Sequence, residues 1–171
     1  FSFLPVTCFA MALSTFVGQN LGAHKHDRVK KGISFGIACS CIMAELIGIC
    51  SYIFAPHLVA FFNDAPEVVA YGTRHMRTIC LFYCLLAFSH CIAGIMRGAG
   101  KATVPMFTML ACWCVFRVTY ITVALKWFNK LTTVSWAYPI TWSLSSIVFL
   151  IYFLSADWIH NFDRIEANKQ G

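Results

Sequence analysis

The chain has 171 residues, of which 59% are hydrophobic, 16% aromatic and only 12% charged, with a net charge of +6 and a mean hydropathy of +0.70. Soluble domains carry about 25% charged residues, so a soluble globular domain is excluded as the bulk of this chain. The basic excess gathers in short connections between apolar windows, as membrane orientation requires, and no nucleic-acid partner is needed to explain it.

Five apolar windows follow one another: Phe1–Gly22, Ile33–Ala55, Met76–Met96, Val104–Leu125 and Ser135–Ala156. A run of about 22 residues at 1.5 Å per residue reaches roughly 33 Å, which crosses a hydrocarbon core of about 30 Å with slight tilt. The expected architecture is an all-α membrane protein, a polytopic helix bundle over 1–156 with helices at about 1–17, 33–55, 76–96, 104–125 and 135–156. A polar tail, 157–171, follows. The first window opens on Phe and lacks the basic start of a signal peptide. It reads as beginning inside a helix, and the chain as a C-terminal piece of something larger.

The connections carry distinct punctuation. Val17–Gly32 holds two glycines ahead of a basic stretch, and Pro56–His75 is long enough to contain structure. Within the latter, Leu58, Val59, Phe61 and Phe62 form an interfacial apolar patch. Asp64 reads as a helix N-cap, with Pro66 in the first turn and Glu67 completing a capping box. Arg97–Lys101 is a tight turn, and Pro105 opens the helix after it. Lys126–Val134 begins with Lys126 and Trp127, an interfacial anchor pair. Pro139 is expected to kink the last helix about one turn in. The segments Gly22–Lys25 (GAHK) and Gly98–Lys101 (GAGK) mark two turns on one side of the membrane. That side collects Lys25, Arg28, Lys30, Lys31, Arg97, Lys101, Arg164 and Lys169, against Arg74, Arg77, Lys126 and Lys130 opposite. Eight against four places the first set, and the C-terminus, in the cytoplasm.

Glu45 is the single charge between Ile33 and Ala55. An acid at a helix centre costs roughly 2.5 to 3.5 kcal/mol to insert, which marks it as a residue facing a cavity, a partner or a transported ion. It reads either as a proton-handling acid or as a structural one that joins helices. Ser34, Ala38, Cys41, Glu45, Gly48 and Tyr52 share a face at helical spacing, and so do Tyr83, Ala87, His90 and Gly94. Such faces either line a polar cavity or pack through small residues. Arg117, deep in the fourth window with Trp113 and Tyr120 on its face, is accommodated by snorkelling, by a cation–π contact or by an acid. His90 reads first as a hydrogen-bonded packing residue and second as a proton relay. Tyr83, Tyr138 and Trp142 are candidates for stacking on a flat cationic substrate, although packing or an interfacial belt explains them too. The nine cysteines all fall in apolar windows without zinc spacing, so they are expected as small packing residues and no metal site is expected. HExxH and GxSxG are absent, and GAGK lacks the spacing of a phosphate-binding loop. No enzyme and no cofactor are expected.

The turns resemble those of the multidrug and toxic compound extrusion (MATE) transporters. The resemblance is carried by Val17-Gly18-Gln19-Asn20-Leu21-Gly22-Ala23 with Lys25 and Arg28-Val29-Lys30-Lys31-Gly32, and by Phe61-Phe62-Asn63-Asp64 with Glu67-Val68. It continues in Arg97-Gly98-Ala99-Gly100-Lys101 with Thr103-Val104-Pro105-Met106, in Cys112-Trp113-Cys114 with Arg117, and in Trp136-Ala137-Tyr138-Pro139 with Trp142. It implies twelve helices in two six-helix halves, with this chain matching helices eight to twelve in the C-terminal half. It also implies residence in the plasma membrane and export of cationic or amphipathic drugs in exchange for Na+ or H+ by alternating access. The partners would be small organic cations, the lipid bilayer and an N-terminal half of the same protein. Family members that couple through the C-terminal half use acids in helices seven, eight and ten. Phe1–Val17 and Met76–Met96 contain none, so coupling is expected in the N-terminal half or through Glu45. A lipid-linked oligosaccharide flippase of related architecture, and a membrane scaffold without transport, are the rival readings.

Overall fold

A computed structural model describes residues 3–63, 65–127 and 131–156. Among these residues every regular element is a helix. The order is α1 (Phe3–Gly22), α2 (His26–Ile53), the short α3 (Ala55–Ala60), α4 (Pro66–Cys80), α5 (Tyr83–Gly98), α6 (Thr103–Met109), a π-helical segment (Leu110–Phe116), α7 (Arg117–Trp127) and α8 (Leu131–Ser155). The helices Phe3–Gly22, His26–Ile53, Thr103–Trp127 and Thr132–Ser155 are each long and apolar enough to cross a membrane. The stretch expected as one straight span over Met76–Met96 is instead a pair, α4 and α5, bent by 53°.

The first connection is far shorter than its glycines suggest. α1 runs through Gly18 to Gly22, and α2 begins at His26. Val17, Leu21 and Val29 are fully buried, so the apolar faces of both helices extend into the expected loop and hold its ends helical. The turn that is left closes with the His24 N–H donating to the Leu21 carbonyl (2.8 Å) and the Lys25 N–H to the Asn20 carbonyl (2.9 Å). These two bonds, with a left-handed residue at the position just past the cap, define a Schellman stop. The residue in that conformation is His24, at φ 54°. α5 ends identically: Gly100 donates to Arg97 (3.0 Å), Lys101 to Met96 (2.9 Å), and Gly100 sits at φ 77°. GAHK and GAGK are therefore one device used twice.

α1 and α5 pack backbone to backbone. A Cβ at Gly94 would strike the Ala10 carbonyl, one at Gly98 would strike the Ser14 carbonyl, and one at Gly18 would lie 3.3 Å from the Gly98 carbonyl. Ala10, Ser14 and Gly18 thus face Gly94 and Gly98 at four-residue spacing, the small-residue pattern that allows close approach of membrane helices. Around this seam Leu13, Val17, Leu21, Ile33, Ile92, Ile95, Met96 and Phe149 form the main core. The outward surface is apolar as well: Phe35 is 73% exposed, Val118 64% and Leu154 74%. Such continuous exposed apolar surface suits lipid and not water.

α4 starts at Pro66 with Ala65 at the N-cap position in extended backbone and no side-chain cap. The N-cap position thus falls one residue after the expected one, with no side-chain cap, and Asp64 lies outside the described residues. The tail from Asp157, with Arg164 and Lys169, also lies outside them, as does Lys130. Phe61 and Phe62 are strongly exposed just past α3, consistent with an interfacial patch. α8 runs through Pro139 without interruption. Ser143 Oγ donates to the Pro139 carbonyl (2.8 Å), an ordinary back-bond of a helical serine to the residue four before it.

Candidate functional site

The bent α4–α5 pair, the π-helical segment and α8 bring an aromatic row together. Tyr83 lies 6.1 Å from Trp142, Trp142 6.0 Å from Tyr138, and Tyr138 5.7 Å from His75, as ring centroids. Tyr138 in turn carries the Arg117 guanidinium over its face at 4.5 Å, and Trp113 carries it at 5.4 Å. Beyond Trp113 stands His90 (5.3 Å), and beyond His90 stands Phe3 (4.9 Å). Five of the six residues singled out in the sequence, Tyr83, His90, Arg117, Tyr138 and Trp142, therefore belong to one continuous row.

Arg117 resolves its three open alternatives in favour of cation–π contact. It donates to Thr141 Oγ1 (2.7 Å), and its Nε is buried without a hydrogen-bond partner. Two ring faces and one hydroxyl hold the cation, each ring contributing about 0.5–2 kcal/mol depending on desolvation. Tyr120, expected on the same face, instead lines a hollow with Phe116 and Trp136. His90 departs from its first reading, because its buried Nε2 has no hydrogen-bond partner. Below the rings, Ser89 Oγ meets Ser145 Oγ (3.1 Å) and Ser146 Oγ (2.8 Å), Trp113 Nε1 donates to Ser145 Oγ (3.3 Å), and His75 Nδ1 meets Ser135 Oγ (2.8 Å). Ser89, Ser135, Thr141, Ser145 and Ser146 are all buried. Sequence reasoning missed this hydroxyl layer, because isolated serines and a threonine in apolar windows carry no signal of which other helix they meet.

Glu45 stands beside this row, not in it. Its Oε2 accepts the backbone N–H of Cys84 (3.3 Å), in the first turn of α5, where N–H groups have no partner within the helix. Cys41 Sγ donates to the Cys84 carbonyl (3.6 Å), and Gly48 lies against the carbonyl of Cys80. Cys41, Glu45 and Gly48 thus grip both sides of the α4–α5 break. The upper part of the stripe read in the sequence does not take part, since Ser34 and Ala38 are exposed. The buried face of α2 runs instead through Val29, Ile33, Ser40, Ala44, Gly48 and Ser51.

The motif residues divide by role. Gly18 and Gly98 serve the α1–α5 seam, Gly100 the Schellman stop, and Pro105 is buried at the start of α6. Gln19, Ala23 and Arg97 are exposed at the turns. A Cβ at Gly22 would meet nothing within 4 Å, and no steric need for glycine is evident there. Of the nine unpaired cysteines, Cys80, Cys91 and Cys112 are buried as expected of packing residues, whereas Cys8, Cys50 and Cys114 are exposed. Among the described residues no cluster of three metal-ligating side chains occurs.

Comparison with known proteins gives consistent answers. The MatE family profile matches residues 1–123. The chain is 27% identical over 163 residues to the probable multidrug resistance protein NorM of Thermotoga maritima, covering 92% of this chain and 34% of that protein. It is 33% identical over 97 residues to multidrug and toxin extrusion protein 1 of Danio rerio, covering 54% of this chain and 16% of that one. A solved structure described as an inward-facing multidrug resistance MATE family transporter of the MOP superfamily superposes with a TM-score of 0.76 at 18% identity, over 89% of this chain and 35% of its own. The chain spans about a third of the NorM relative and of this solved chain, and less of the other. A profile match over residues 1–123, joined to this likeness of fold, places the chain in the MatE family of multidrug and toxic compound extrusion transporters.

Proposed function

We propose that this chain forms part of a secondary active efflux transporter that exports cationic or amphipathic aromatic compounds in exchange for inward Na+ or H+. Transport proceeds by alternating access between this unit and an N-terminal half of the same protein. This unit corresponds to the end of the C-terminal half, with both GAxK turns and the C-terminus in the cytoplasm. The charge count supports that orientation, and the names of the relatives support drug-like cargo.

The observation that carries the reading is the resident cation in the aromatic row. Arg117 lies over Tyr138 and Trp113, and this contact supports reading the ring faces as a place for a delocalised planar cation. A flat organic cation competes for the same faces or stacks on Tyr83 and Trp142 beside them, so substrate binding and movement of Arg117 are linked. Tyr138→Ala and Trp142→Ala are each expected to raise the KM for ethidium efflux about 3- to 10-fold, from the size of one cation–π contact. Tyr138→Phe, which retains the ring face, is expected to stay near wild type. Unchanged efflux in both alanine variants, at equal expression in cells, would remove the row from substrate binding.

A further inference from the structure

A second site lies at the opposite end of α2 from the GAxK turns. There α2, α4 and α8 enclose a hollow of about 550 Å3, lined by Tyr52, Thr73, Arg74, Arg77, Phe82 and Trp136 among others. Tyr52 comes three residues before Ala55, the end of the apolar window, which places this hollow at the border between hydrocarbon and headgroups. Arg77 is anchored on one side only: its Nε donates to the Tyr52 carbonyl (3.4 Å), and its guanidinium lies 5.2 Å from the centre of the Tyr52 ring. Among the described residues neither Arg74 nor Arg77 has a carboxylate partner. Thr73 Oγ1 is buried in the same wall without a hydrogen-bond partner. Two arginines thus line one hollow with no carboxylate partner among the described residues.

Trp136 is shared with a second hollow of about 700 Å3 between α7 and α8, whose lining is almost wholly apolar and includes Phe116, Val123 and Trp127. The two hollows together have the polarity of an amphiphile: cationic at the membrane border, apolar beyond the Trp136 ring. We propose that they form one binding site for an anionic phospholipid. Its phosphodiester is held by Arg74 and Arg77, and its acyl chains lie past Trp136 along Phe116 and Val123. Arginine suits this task because its planar fork meets two phosphate oxygens at once. A free anion leaves the apolar hollow empty, and a zwitterionic headgroup brings its own cation towards two arginines, so an anionic lipid fits best. The inference does not depend on what the transporter exports.

The test measures binding of dioleoyl phosphatidylglycerol to the delipidated full-length protein in detergent by native mass spectrometry. Dioleoyl phosphatidylcholine and inorganic phosphate serve as rivals. The wild-type protein is expected to retain phosphatidylglycerol about 10-fold more tightly than phosphatidylcholine. Arg74→Gln with Arg77→Gln is expected to reduce it to the phosphatidylcholine level, whereas Arg74→Lys with Arg77→Lys keeps most of the preference. Trp136→Ala is expected to weaken both lipids alike. Equal retention of phosphatidylglycerol by the wild-type and glutamine proteins overturns the site. Displacement of the lipid by millimolar phosphate also overturns it, by showing a site for a free anion.

Discussion

His24 occupies a backbone position that favours glycine. At φ 54° it completes the same stop that Gly100 completes at the end of α5, and a side chain held in this region costs about 1–2 kcal/mol. His24→Gly is therefore expected to stabilise the protein by about 0.5–1 kcal/mol, less than the full strain because glycine also loosens the unfolded chain. Gly100→Ala is expected to lose about 1 kcal/mol, although its Cβ would enter open space. Thermal unfolding midpoints in detergent should move in opposite directions for the two variants. The sequence displayed both GAxK turns, but only the paired hydrogen bonds show that they are equivalent. Glu45 presents a similar limit. Its cost in a membrane helix was readable, whereas its partner, a backbone N–H on another helix, has no sequence signature. Glu45→Ala should destabilise by about 1–2 kcal/mol through an unpaired N–H, while Glu45→Gln keeps an acceptor and should fold as wild type. Proton-driven ethidium efflux in Glu45→Gln then separates two roles. Persistence across pH leaves Glu45 as a helix cap, and loss without loss of stability assigns it to coupling.

At the scale of the helix, the α1–α5 seam and the α4–α5 break decide the architecture. Gly94 and Gly98 face backbone carbonyls of α1, and a backbone cannot rotate away as a side chain can. Gly94→Val is expected to cost at least about 1–3 kcal/mol by overpacking, read as a lower midpoint and reduced yield of folded protein. The five apolar windows were legible because length and hydropathy report directly on crossing a bilayer. The 53° bend was not, because Leu81 and Phe82, which separate the two helices, are as apolar as their neighbours. What stabilises the break is supplied from α2, by Cys41, Glu45 and Gly48. The π-helical segment Leu110–Phe116 escaped detection for a related reason. Its composition is that of any membrane helix, and its effect is felt in where Trp113 and Arg117 meet the rings of α5 and α8. Such segments are frequent at functional sites, and this one leads directly into Arg117.

For the whole molecule, a unit about a third the length of its NorM relative presents one wall of the transport pathway proposed above. The purified 171-residue chain in liposomes is expected to show no ethidium transport under a Na+ or H+ gradient. Transport by the chain alone would overturn the two-half architecture. The sequence by itself determined that this is a helical membrane protein, where four of its long apolar helices lie, and, through its turns, the family it resembles. Those properties are local, set by hydropathy, length and turn chemistry within short stretches of chain. Tertiary structure alone decided that Tyr83, Trp142, Tyr138, Arg117, Trp113 and His90 form one row, that Glu45 caps a broken span, and that Arg74 and Arg77 border a hollow without a carboxylate partner among the described residues. These are relations between side chains on different helices. Their geometry depends on how closely the backbones approach, and at the α1–α5 seam that approach is set by two glycines and two carbonyls.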